Sequence, residues 1–123
     1  MKPETIKIDE IEYVRKDSIN LPAEKLGGKK YVIVRTRSAG VFAGYIQEDL
    51  KNPEKTVLIH ARRLWYWEGA SSLSQLAMEG VKSPEKCKFP CEVDRLELIE
   101  AIEIIDVTKQ AQDSIKGVKI WEQ

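Results

Sequence analysis

The alternation of apolar and polar positions divides the chain into strand-like segments separated by turns. Tyr31–Arg37 is rich in β-branched residues and is followed, after Ser-Ala-Gly, by the similar segment Val41–Gln47. These two segments are predicted to form a hairpin. Thr56–Trp67 is the longest predicted strand, and apolar residues on both of its faces indicate a central position in a sheet. A further small hairpin is predicted over Thr5–Arg15, around a two-residue acidic turn.

Two segments between these strands have the composition of loops. Lys16–Lys30 contains Asn, Pro and two consecutive glycines, and is predicted to be a loop with one turn of helix at Ala23–Leu26. Glu48–Lys55 is mostly charged and is predicted to be a solvated loop.

A short helix is predicted over Ser72–Glu79 from its start and stop signals. Ser72 and Gln75 have the spacing of a capping box, in which the hydroxyl accepts from the Gln75 amide while the Gln side chain reaches back. Gly80 ends the helix. One apolar stripe runs along it, formed by Leu73, Leu76 and Ala77.

The segment Val93–Val107 fits neither the helical nor the strand period cleanly. Its Ile and Val content favours a strand with one bulge, and a helix is the alternative. A last helix is predicted over Lys109–Lys116, capped by Thr108, with Ala111 and Ile115 four residues apart on its inner face.

Together these elements predict a single domain over residues 1–123. Its expected fold class is α+β: a small antiparallel sheet or partly open barrel with two short helices. The tail Val118–Trp121 is expected to add a terminal strand or to dock on the surface.

The amino-acid composition and charge indicate which classes of partner are not expected. Apolar residues make up 42% and charged residues 33% of the 123 positions, which is typical of a globular domain. Twenty basic and twenty acidic residues give a formal net charge of zero, so nucleic acid is not an expected partner. No apolar run approaches the ~20 residues of a membrane helix, and the first residues lack the pattern of a signal peptide. We therefore expect a cytoplasmic protein without a membrane partner.

The usual catalytic motifs do not occur, and no enzymatic activity or cofactor is expected. His60 is the single histidine and is expected to be a core or half-buried residue with one hydrogen bond. Cys87 and Cys91 are expected to be free thiols, because a metal site would lack a ligand. A solvated acidic face is expected from carboxylates that recur every three positions: Glu97, Glu100, Glu103 and Asp106.

The most informative stretch is Ala61–Gln75, which combines arginines, tryptophans and serines. In a continuous strand Arg63 shares one face with Trp65 and Trp67, while Arg62 points to the other face. Backbone N–H groups at the start of the following helix, with nearby hydroxyls, would suit an anion. The pattern therefore indicates a candidate ligand site formed by Arg62, Arg63, Trp65, Trp67, Ser71 and Ser72. The alternative is that the tryptophans are core residues and the arginines pair with surface carboxylates.

A second pair of arginines, Arg35 and Arg37, lies on one face of the first hairpin strand. They are added to the candidate site because a neighbouring strand carrying Arg62 or Arg63 would complete a cationic patch. Isolated arginines that face the solvent are the alternative.

Four segments carry a family resemblance: RLWYWEGASSLSQLAMEGV, CKFPCEV, EYVRKDSI and YVIVRTRSAGVFAG. They resemble a family of small bacteriophage and prophage proteins with a domain of unknown function, from about Ile6 to Trp121. The resemblance implies a phage origin, a host cytoplasmic setting and one small domain. It transfers no catalytic residues.

Two functional hypotheses follow from these observations. The first is an accessory phage protein that binds a small phosphorylated or nucleotide-like ligand, with sequestration of a host defence signal as its role. The second is a protein-interaction module that inhibits or redirects a host protein through exposed tryptophans. A pocket with inward-facing Arg and Trp would favour the ligand, and a flat apolar patch would favour a protein partner. Formation of a homo-oligomer is left open.

Overall fold

The computed structural model describes residues 21–48 and 55–122. The hairpin predicted over Thr5–Arg15 lies outside the described residues, as do parts of both predicted loops. The described residues form five strands, two α-helices and one turn of 3-10 helix (Pro84–Lys86): β1 (Tyr31–Thr36), β2 (Val41–Gln47), β3 (Thr56–Arg63), α1 (Leu73–Glu79), β4 (Glu92–Leu98), β5 (Ala101–Asp106) and α2 (Lys109–Gly117). Neither helix is long and apolar enough to span a membrane.

The five strands form one open antiparallel sheet in the order β4-β3-β2-β1-β5. This confirms a small α+β fold with an antiparallel sheet and two short helices. The edge strands β4 and β5 are joined by only two residues, Ile99 and Glu100. In a flat sheet the edges would lie about 19 Å apart, whereas the link from Leu98 to Ala101 can span at most about 11 Å. The sheet therefore curls at this end.

Alternate residues of the strands face two apolar cores. The first lies between the sheet and the helices and includes Ile33, Leu64, Leu76, Phe89, Ala111 and Ile115. The second lies on the opposite face and contains no helical residue: Val32, Val34, Phe42, Leu58, Ala61 and Leu98. Val57 and Leu58 are 2% and 0% exposed, so β3 is covered on both faces as predicted.

The cap of α1 confirms the predicted helix. Ser72 Oγ accepts a hydrogen bond from Gln75 N at 3.1 Å, while the Gln75 side chain accepts from the amide and hydroxyl of Ser71, each at 2.8 Å. Gly80 ends the helix with φ 80°. A Cβ there would also collide with the side chain of Ser114 in α2, so this position requires glycine for two reasons.

The second helix is also confirmed, and its cap joins it to the first. Thr108 Oγ1 accepts from Ala111 N at 3.1 Å and donates to the Met78 carbonyl at 2.6 Å. Ala111 and Ile115 are fully buried, as their spacing predicted.

The ambiguous segment after residue 92 forms two strands. The prediction of strand is confirmed, but the single bulged strand and the alternative helix are both wrong. The chain turns at Ile99–Glu100, where the Glu100 carbonyl accepts a hydrogen bond from Arg37 N at 3.0 Å. A register shift does occur, but within the pairing of β5 with β1, between Arg35 and Thr36.

The helical turn predicted at Ala23–Leu26 is wrong. Gly27 and Gly28 both adopt positive φ angles, 56° and 81°, and Leu26 and Lys29 exchange two backbone hydrogen bonds around them. Two consecutive residues at positive φ make a tight hairpin turn, which this glycine pair accommodates without strain.

A bulge at His60 changes which side chains of β3 face the helices. One residue of β2, between Ala43 and Tyr45, lies opposite two residues of β3. His60 has φ 52° and is exposed, so the prediction of a core or half-buried histidine is wrong. Because the alternation shifts after the bulge, Ala61 packs into the second core and Arg62 points into the first.

Candidate functional site

Arg62 is held by the protein's own backbone. Its side chain is 4% exposed and donates four hydrogen bonds of 2.7–3.1 Å to the carbonyls of Phe89, Pro90, Ile115 and Val118. Burial lowers the pKa of the guanidinium from its ordinary value. The side chain therefore ties the end of α2 to the loop before β4 and is not directed to a ligand.

Arg63 lies on the opposite face, away from the tryptophans. It donates to the Ala39 carbonyl at 2.7 Å, and its guanidinium lies 4.5 Å from the centroid of the Phe42 ring. Because β3 ends at Arg63, the strand does not continue to place Trp65 and Trp67 beside it. The prediction that Arg63, Trp65 and Trp67 share a strand face is wrong.

The cationic patch across neighbouring strands does not form. β2 separates β1 from β3, so Arg35 is not adjacent to Arg62 or Arg63. Arg35 Nε pairs with Glu103 at 2.8 Å, and Arg37 is exposed beyond the end of β1.

The remaining predicted ligand residues also serve local structure. Ser71 and Ser72 are both engaged in the cap of α1, and Trp67 packs partly buried against the first core. Of the eight predicted residues only Arg37 contributes to the lining of five cavities on the described parts of the chain, so none of these five brings the predicted residues together.

The acidic residues spaced by three are exposed, as predicted, and each has a partner. Glu97 contacts Lys55 and Arg95, Glu100 accepts from Ser38, Glu103 pairs with Arg35, and Asp106 pairs with Lys30. No group of three or more His, Cys, Asp or Glu residues converges as a metal site among the described residues.

The structure brings together a different set of residues, which we call the aromatic platform: the exposed Trp65, Tyr66 and Ile120 with the half-buried Lys88 and Trp121. Two isolated backbone bridges build it. The Lys88 amide donates to the Tyr66 carbonyl at 2.7 Å, and the Trp121 amide donates to the Phe89 carbonyl at 3.0 Å. Phe89 is fully buried and anchors the loop that joins these bridges.

The indole rings of Trp65 and Trp121 stack on one another. Their centroids are 5.4 Å apart and their planes differ by 11°. Trp65 is nevertheless 59% exposed, with Tyr66 at 43% and Ile120 at 49%. Large apolar side chains exposed side by side commonly mark a contact surface.

Lys88 places a positive charge among the three rings. Its Nζ lies 5.4 Å from the centroid of Trp65, 5.7 Å from Tyr66 and 5.8 Å from Trp121. These distances allow cation–π attraction. Within the described residues no carboxylate forms a salt bridge with Lys88.

The edge of the platform is fixed by Glu68. Tyr66 Oη donates to its carboxylate at 2.6 Å, and this hydrogen bond raises the pKa of Tyr66. The Glu68 carbonyl in turn accepts a weak hydrogen bond from the Cys87 thiol at 3.7 Å.

An open cavity of about 600 Å³ lies beside the platform. Trp121 and Ile120 line one part of it, with Lys119, Pro84, Glu85 and Cys87 among the other lining residues. The lining contains acidic and basic side chains but no arginine. The combination of inward-facing Arg and Trp expected for a nucleotide pocket is therefore not present in this cavity.

The sequence pattern indicates Trp65 as a candidate site residue. It does not indicate that Lys88, Tyr66 and Trp121 surround it. Regular strand alternation would place Tyr66 on the face opposite Trp65, and nothing in the tail indicates that Trp121 reaches Trp65. The only indication in the sequence is that the segment around Trp65 and the tail around Trp121 both contain aromatic residues, and this does not show that the two segments meet.

We expect Cys91 to react with a maleimide at least about tenfold faster than Cys87, when each is tested as the only cysteine in the protein. Both are free thiols, but Cys91 is exposed, whereas Cys87 is 7% exposed and burial raises the pKa of its thiol. The rates are measured by mass spectrometry on Cys87→Ser and Cys91→Ser. Equal rates in the folded protein would contradict the burial of Cys87.

A family model described as a domain of unknown function, DUF6948, matches residues 29–115, more than half of the chain. The match includes Trp65, Tyr66 and Lys88 and ends before Ile120 and Trp121. No curated protein and no solved structure is significantly similar to the chain. The chain therefore belongs to the DUF6948 family of domains of unknown function.

Proposed function

We propose that this protein is a small interaction module that binds another protein through the aromatic platform. The observation that carries the proposal is the exposure of Trp65, which is 59% accessible although it stacks on Trp121. Trp and Tyr are enriched among the residues that dominate binding energy at protein interfaces. Stacking of Trp65 on Trp121 and the hydrogen bond from Tyr66 to Glu68 restrict these rings, so less side-chain freedom remains to be lost on binding.

A small phosphorylated or nucleotide-like ligand is the second candidate. The open face of Trp65 could stack on a base, and Lys88 lies close enough to contact a phosphate. The protein partner is preferred because Arg62 and Arg63 both donate to backbone carbonyls. Neither arginine lines the cavity beside Trp121.

The test is site-specific photo-crosslinking followed by affinity measurement. A photoreactive benzoylphenylalanine replaces Ile120 on the platform or, as a control, Ile99 in the β4–β5 link, which is 78% exposed. We expect an identified host protein to crosslink at position 120 only. The purified partner should then bind Trp65→Ala at least about tenfold more weakly in calorimetry.

A matched control is Met78→Ala, since Met78 is 45% exposed on α1 and lies outside the platform. Its affinity for the partner should be unchanged. Equal crosslinking at both positions, or full affinity in Trp65→Ala, would contradict the proposal. Binding of nucleotides without any protein partner would favour the second candidate.

Two further proposals concern the shape of the sheet and the origin of the protein. The curled sheet is proposed to be the wall of a partly open barrel, supported by the two-residue link between its edges and by the second core, which contains no helical residue. A phage origin and a host cytoplasmic setting are proposed from the sequence resemblance alone.

A further inference from the structure

We infer that the partner presents a carboxylate to Lys88, with an apolar or aromatic side chain beside it that packs on Trp65. The inference rests on the proposed function, because it names the chemistry that fits the same aromatic platform. Its basis is the position of Lys88 Nζ, within 6 Å of three ring centroids.

Removal of water from the Lys88 ammonium on binding determines which charge the partner must carry. Any protein that covers Trp65, Tyr66 and Trp121 must also remove water from Lys88, since its Nζ lies among them. The rings interact with the cation but accept no conventional hydrogen bond from it. Covering a charged group without a partner is costly, so a purely apolar contact surface would be disfavoured. A second cation would be repelled.

The platform does not supply the missing anion itself. Glu68 is the acidic residue nearest in sequence to Tyr66, and its carboxylate accepts the tyrosine hydroxyl at 2.6 Å. Lys88 forms no salt bridge with any described residue. An acidic side chain from the partner would therefore meet a cation that pairs with no carboxylate of the described residues.

The position of Lys88 along the chain is also fixed. Cys87 and Phe89 on either side are 7% and 0% exposed, and the Lys88 amide is bonded to the Tyr66 carbonyl. The side chain can adjust, but its Cα cannot move away from the rings without breaking this packing. The carboxylate and its apolar neighbour must consequently lie close together in the partner.

The test compares three fragments with the same phenyl ring and different charges: phenylacetate, phenylacetamide and phenethylamine. Binding is followed through the indole N–H signals of Trp65 and Trp121 in NMR titrations. We expect phenylacetate to bind about tenfold more tightly than the neutral amide, and the amine to bind most weakly.

Lys88→Met separates charge from packing, because methionine retains an unbranched apolar stem. In this variant the preference for phenylacetate over phenylacetamide should disappear. Lys86→Met is the matched control: Lys86 is an exposed lysine in the neighbouring turn, and its loss should leave the preference intact. Trp65→Ala should weaken all three fragments by a similar factor.

Three outcomes would overturn the inference. They are equal affinities for the three fragments, tightest binding of the amine, and no binding of phenylacetate at millimolar concentration. Much stronger binding of adenosine monophosphate than of phenylacetate would assign the site to a phosphorylated ligand instead. The crosslinking experiment at position 120 is independent of the fragments, so failure of the charge preference can be distinguished from failure of the proposed interaction.

Discussion

Replacing Arg62 with alanine is expected to destabilise the protein by about 4 kcal/mol, which is a large part of the stability of a small domain. The guanidinium, 4% exposed, donates to four backbone carbonyls, two of them at the end of α2 and two in the loop before β4. Removing it leaves buried carbonyls without donors and a cavity beside Phe89. In urea unfolding the midpoint should fall by about 2 M.

The neighbouring residue provides the control. Arg63→Ala loses one exposed hydrogen bond to Ala39 and a contact with the Phe42 ring, so the expected loss is about 1 kcal/mol. Arg62→Lys should recover only part of the stability, because one ammonium cannot reproduce the fork of a guanidinium. Similar urea midpoints for Arg62→Ala and Arg63→Ala would show that the carbonyl network does not hold the fold.

Leu76→Ala is expected to cost about 2–4 kcal/mol. Leu76 is fully buried in the first core, on the stripe of α1 that packs against the sheet and α2. The substitution removes apolar contact and leaves a cavity that the two capped helices can fill only in part. The free energy of unfolding from denaturant melts measures the loss.

Met78 lies on the exposed side of the same helix and serves as the comparison. Met78→Ala should change stability by less than about 1 kcal/mol, since its side chain is 45% exposed and alanine is a good helix former. A loss in Leu76→Ala well below 1 kcal/mol would contradict the packing of α1 described above.

The sequence predicted the two helices closely because their signals are local. A cap hydroxyl reaches an amide three residues away, as Ser72 reaches Gln75 and Thr108 reaches Ala111. The spacing of buried residues on one helix face depends on the helical period alone, so Leu76 and Ile115 were both placed correctly. The first hairpin was predicted for a similar reason, since its turn lies between two β-branched segments.

The strand geometry predicted for the Arg–Trp cluster is wrong because regular alternation neither passes through the bulge at His60 nor continues beyond Arg63. His60 adopts a positive φ that a non-glycine residue seldom takes, and no residue beside it indicates a bulge. Because of the bulge, the Arg62 side chain points into the first core. Because β3 ends at Arg63, Trp65 does not continue the strand. The bulge thus changed the face on which Arg62 lies, whereas the end of β3 separated Arg63 from the tryptophans.

By itself the sequence determined the α+β class, both helices, the first hairpin and the absence of the common catalytic motifs, because each of these depends on residues close together along the chain. The order of the strands, the surroundings of Arg62 and the aromatic platform were decided only by the tertiary structure. Trp65 and Trp121 meet because Lys88 pairs with Tyr66 while Phe89 pairs with Ile120. Such pairings between distant segments depend on how the whole chain packs, and no local pattern encodes them.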